Sequence, residues 1–142
     1  MKHRVTTYFV ALVILVVLDV AWFAFSMDRL YHPLMGDLIA PSPNFVAAGL
    51  FYLVYALGLC YFVVFPQQLS NDARIKKAIK PAAFFGLVAY GTYDLTALAV
   101  IKGFSAKLVV VDLIWGVCAA IAICSTTLFI SAKYSRVSRT QA

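Results

Sequence analysis

The chain has 142 residues, 63% of them hydrophobic and 13% charged, with a mean hydropathy of +0.90. That balance excludes an ordinary soluble domain and marks an integral membrane protein. The net charge of +6 is no nucleic-acid footprint, because the basic residues fall almost entirely between and beyond the apolar stretches, where they set topology.

Four apolar runs follow one another, at about 6–26, 44–65, 82–101 and 108–130. Each reaches the ~20 residues that a helix needs to cross a ~30 Å hydrocarbon core. Backbone polar groups exposed to lipid must be satisfied internally, so all four are expected to be transmembrane helices. The expected fold is therefore an all-α membrane protein, a single four-helix transmembrane domain over residues 1–142.

The first run follows Lys2, His3 and Arg4, is too long for the apolar region of a signal peptide, contains Asp19 and lacks a small-x-small cleavage site. It is expected to be retained. The segment 27–41 that follows spaces Leu30, Leu34 and Leu38 four apart, with Tyr31, Met35 and Ile39 beside them. Two readings stand for it: a short helix on the membrane surface, or an extension of the first helix broken at Pro33. Ser42 and Pro43 suit the start of the second helix, Pro66 follows its end, Pro81 opens the third, and Gly103 with Ser105 makes the turn into the fourth.

Counted by alternate sides, Lys2, Arg4, Arg74, Lys76, Lys77, Lys80, Lys133, Arg136 and Arg139 lie on one face of the membrane and Arg29, Lys102 and Lys107 on the other. The positive-inside rule then places both termini in the cytoplasm. Cys60, Cys118 and Cys124 stand outside any paired spacing and read as small buried hydrophobes. His3 and His32 lie outside the runs and share no ligand spacing, so neither a metal nor a cofactor is expected.

Asp19, Asp94 and Asp112 are the informative residues, since no lysine, arginine or histidine lies within the runs to neutralise them. An unpaired carboxylate in hydrocarbon is costly, so such a residue marks a functional position by default. Two of them head the same pattern, Asp19 with Trp22 and Asp112 with Trp115. In the expected topology all three acids fall in the outer half of the bilayer, with Asn44 able to join them. Residues three and four apart share a helical face, which groups Asp19 with Trp22, Asp94 with Tyr90 and Tyr93, and Asp112 with Trp115. Thr96 and the tyrosines serve equally as interhelical hydrogen-bonding groups, and the tryptophans equally as an interfacial aromatic belt. Three acids at similar depth cannot all be ionised without water or a cation, so at least one proton should be shared among them.

The segments LDVAWF, PNFVAAGLFYLVYALGL, FGLVAYGTYDLTALAVIKGF and VDLIWG together resemble a bacterial family of small membrane proteins known as domain of unknown function 2177. The resemblance covers nearly the whole chain, and YGTYDLT with its Lys-Gly turn is its most specific part. It implies a four-span inner-membrane protein in which Asp19, Trp22, Asn44, Tyr90, Gly91, Tyr93, Asp94, Thr96, Lys102, Gly103, Asp112 and Trp115 match the family's pattern. No activity comes with it.

The favoured reading is a pocket of carboxylates, phenols and indoles, open to the outside, that binds or transports a proton, a cation or a small amphipathic molecule. Four spans are few for a transport path, so a homodimer or a larger membrane complex is the expected form, the lipid bilayer being the other partner. A membrane-embedded lipid-modifying enzyme is the alternative, with Asp94 as acid or base beside Tyr90 or Tyr93. No nucleophile and base pair, no histidine within the spans and no cofactor motif favours it, and no catalytic residue is assigned. A structural subunit of an envelope assembly is the third reading.

Overall fold

A computed structural model describes residues 2–68 and 74–140. Among the described residues, four helices are long and apolar enough to cross a membrane: a first span at His3–Leu38, a second at Phe45–Gln68, a third at Ile75–Val100 and a fourth at Ala106–Lys133. Four antiparallel crossings put both chain ends at one end of the bundle, called here the terminal end; the other is the loop end. Residues 69–73 and the side chains of Arg74, Arg136 and Arg139, counted above for topology, lie outside the described residues.

The first span does not stop at Ser26. Helix α1 (Lys2–Ser26) runs into a π-turn (Met27–Tyr31), a further helical turn α2 (His32–Met35) and a 3-10 turn (Gly36–Leu38), and Gly36 ends α2 with a positive φ of 52°. Of the two readings of segment 27–41 the structure takes the extension, but without a break at Pro33. A proline ring collides with the carbonyl four residues earlier in a regular α-helix. Here that carbonyl belongs to Arg29, inside the π-turn, whose wider ladder gives it room.

The second span repeats the device. α3 (Phe45–Leu59) passes through a π-turn (Cys60–Val64) into α4 (Phe65–Gln68), so Pro66 lies within the helix and does not follow its end. α5 (Arg74–Val100) likewise starts before Pro81 and contains it.

Neither Ser42 nor Pro43 caps α3. Asn44 does, its Oδ1 accepting from the backbone N–H of Val46 and of Ala47, both at 3.1 Å. Replacing this cap, Asn44→Ala, should cost about 1 kcal/mol. Thermal unfolding in detergent measures it, and an unchanged melting temperature would refute the capping role.

The fourth span is the hub, for α6 (Ala106–Thr140) packs against the first, second and third spans. Its closest neighbour is α5, which crosses it glycine on glycine: a Cβ built on Gly86 would meet the backbone of Gly116, and one built on Gly116 would meet the ring of Tyr90. Small residues let membrane helices approach to this distance.

Leu15, Leu59, Val63, Ile123 and Leu128 are almost fully enclosed and form a dry middle layer. Cys60 and Cys124 join it; Cys118, against expectation, is exposed on the lipid-facing side of α6. Below this layer, at the terminal end, a polar tie links three spans. Gln68 Nε2 donates to Thr7 Oγ1 at 2.9 Å, and Thr7 Oγ1 lies 3.4 Å from Ser131 Oγ.

Candidate functional site

Above the dry layer, toward the loop end, lies a cavity of about 620 Å³. All three spans' acids border it: Asp19, Asp94 and Asp112 line its wall together with Tyr31, Tyr52, Tyr90 and Tyr93, while Phe23, Phe51 and Phe104 supply apolar aromatic surface. No lysine, arginine or histidine lines it. Its volume is that of an ordinary small-molecule site.

The first span contributes one long stripe. Asp19, Phe23, Met27, Tyr31, Met35 and Ile39 recur every fourth residue, and all border the cavity. A uniform α-helix would rotate such a stripe by ~40° at each step, or ~160° from Asp19 to Met35. The π-turn in the middle absorbs about one residue's rotation, ~100°, and so keeps the stripe on one face.

Each acid is held differently. Tyr52 Oη donates to Asp19 Oδ2 at 2.8 Å, and Tyr31 Oη donates to Asp112 Oδ1 at 2.6 Å while accepting from Trp22 Nε1 at 3.3 Å. Asp94 is 1% exposed, and its Oδ2 has no hydrogen-bond partner. Asp112 lies within electrostatic reach of both Asp94 and Asp19. Among the described residues none of the three forms an ion pair. Arg29 does not snorkel toward them: it donates to the carbonyl of Phe25 at 2.9 Å and packs over that residue's ring. Lys102 and Lys107 are exposed and do not line the cavity.

Trp22 and Trp115 stack face to face, with centroids 4.4 Å apart and planes 9° from parallel. Neither lines the cavity, and Trp115 packs against the core cluster. Trp115 Nε1 is buried beside Asp19 and Tyr90 without a hydrogen bond of ordinary geometry. Because the two spans run antiparallel, stacking the tryptophans of two Asp-x-x-Trp patterns sends the carboxylates to opposite sides of the stack. Three residues of rise on either side separate them by roughly 9 Å along the helices, so Asp19 and Asp112 are not at equal depth.

Two further candidates stand apart from the cavity. Asn44 is exposed and spends its side chain on the helix cap. Thr96 is exposed and donates to the carbonyl of Thr92 at 2.6 Å, as Thr92 does to Val88, so neither binds a second helix. Tyr90, Tyr93 and the three aspartates are the candidates that the fold brings together around the cavity.

Tyr31, in segment 27–41, and Tyr52, in the second apolar run, hold two of the acids although neither stands out in the sequence as a site residue. The fourfold spacing of Tyr31, Met35 and Ile39 was the available signal for the first. Replacing that hydroxyl, Tyr31→Phe, leaves Asp112 and Trp22 each short of a partner and should cost about 1–3 kcal/mol. A melting curve indistinguishable from that of the parent protein would show the bond to be dispensable.

Apolar side chains crowd the loop end of the cavity. Ala97, Phe104, Leu108 and Val109, with Tyr31, Leu34 and Met35 packed against them, form a second apolar cluster there.

The fold and its buried acids define a polytopic helical membrane protein with a polar interior. A model of a family of predicted membrane proteins, domain of unknown function 2177, matches residues 4–129, and the chain belongs to that family. No curated protein and no solved structure matches it.

Proposed function

We propose that this protein binds a small cation in the acidic aromatic cavity, within a bacterial inner membrane and with both termini in the cytoplasm. The orientation rests on the excess of lysine and arginine on the terminal side. The observation that carries the binding reading is Asp94, enclosed in a span with a free carboxylate oxygen beside a cavity that lacks any basic side chain. A cation compensates that oxygen, and the phenol and phenyl faces around it attract the same charge through their π-electrons.

The dry layer of Leu15, Leu59 and Ile123 separates the cavity from the terminal end. Passage of a cation across the membrane therefore requires those helices to part, and binding is the step the resting structure performs. Calorimetric titration of the purified protein with tetramethylammonium tests it. Saturable binding at millimolar or tighter affinity, about −4 kcal/mol or better, is the expected result; no saturable heat in that range would defeat the reading.

A further inference from the structure

Where the cavity opens tells what carries the charge. Every buried residue of the second span lies between Tyr55 and Val64, and none lies between Phe45 and Val54. The second and third spans meet in their inner halves, where Gly58 approaches Phe85 so closely that an added Cβ would stand 3.1 Å from its ring, and where Tyr55 packs edge-on against Phe85 and Tyr90. Above that contact the two helices leave a gap. Phe51, 42% exposed, and Tyr93, 62% exposed, are the most exposed of the side chains that line the cavity, and they flank this gap.

The side of a span faces lipid. The end that would face water is lined by the apolar Phe104 and Leu108 cluster, with Tyr31 held there by its bond to Asp112. A ligand arriving sideways must be soluble in hydrocarbon over most of its length, yet it must present a positive group to Asp94. We infer that the cavity takes the ammonium head of a single-chain amphiphile, which enters from the membrane between the second and third spans and leaves its alkyl chain across Phe51 and Tyr93. This rests on the cation reading above and adds the class of molecule and its route.

A dodecylamine derivative carrying a diazirine at the far end of its chain tests it, in the full-length protein in lipid nanodiscs, with tetramethylammonium as the chainless comparison. The expected result is photolabelling on Phe51, Tyr93 and their lipid-side neighbours, competed by dodecyltrimethylammonium at a concentration at least tenfold below the tetramethylammonium required. Labelling confined to Met35 and Ile39 would mean entry from the loop end. Labelling spread evenly over lipid-facing residues such as Val13 and Val17 would mean mere solution in the bilayer. Either would overturn the lateral route while tetramethylammonium binding kept the cation reading intact; binding of neither cation would end both. The pattern is read on the parent protein, so it does not depend on any variant folding.

Discussion

A single methyl group at the crossing of the third and fourth spans should strongly destabilise the bundle. The Cβ of Gly86→Ala would stand 2.8 Å from the carbonyl carbon of Gly116 and 2.9 Å from the Cβ of Ala120, and closer still to the Gly116 oxygen. Overpacking in a well-filled interior ordinarily costs about 1–3 kcal/mol, because side chains can rotate away. Here the obstacle is backbone, and no rotamer relieves it. A loss of about 3 kcal/mol or more is expected, on the order of 10 °C in melting temperature for a chain of this size.

Gly49 supplies the control, since a Cβ there meets nothing within 4 Å. Gly49→Ala should be neutral, or stabilising by up to about 1 kcal/mol through helix propensity. If the two alanine variants melt together in detergent, the glycine crossing is not what holds the third span to the fourth.

The second large effect separates binding from folding. Asp94→Asn keeps the shape of the side chain and removes the charge from a group whose Oδ2 no protein donor satisfies. Truncating one partner of a buried charge pair costs about 2–5 kcal/mol of affinity, so tetramethylammonium affinity should fall at least ~30-fold. Stability should hold or rise, because the resting protein loses an uncompensated acid. Asp19→Asn and Asp112→Asn should have smaller effects. Each keeps an oxygen to accept from Tyr52 or Tyr31, so each should retain most of the fold, with a smaller loss of binding. Should Asp94→Asn bind tetramethylammonium as the parent does, Asp94 is not the counter-ion and the cavity's acids are structural.

The four spans were legible in the sequence because a ~20-residue apolar run has one physical solution in lipid. The acids were legible for a related reason, since a carboxylate with no cation in its run stands out wherever it points. Helix ends were less legible. Pro33, Pro66 and Pro81 each read as a boundary, and each lies inside a helix. The proline rule supposes a regular α-helical ladder, and the π-turns at Met27–Tyr31 and Cys60–Val64 remove the collision it rests on for Pro33 and Pro66, while Pro81 lies about two turns into α5.

Local bonding hid the rest. Asn44 and Thr96 have side chains short enough to satisfy backbone groups of their own helix, and nothing in spacing separates that use from a role in a site. The relative depth of Asp19 and Asp112 depended on which residues of two antiparallel helices come level. The stacking of Trp22 on Trp115 decides that, and a repeated motif alone does not.

The π-turn of the first span gives the chain one residue of slack between Ser26 and His32. Removing Asp28, Arg29 or Leu30, none of which lines the cavity, would let the segment close into an ordinary α-helix. Because the π-turn already absorbs about one residue's rotation, ~100°, everything after it would keep its face, with Tyr31 beside Asp112 and Met35 and Ile39 on the cavity wall. Removing a second residue finds no such slack and would turn the rest of the span by about 100°, dismantling that side of the chamber. For library design in this segment, one residue is dispensable and two are not.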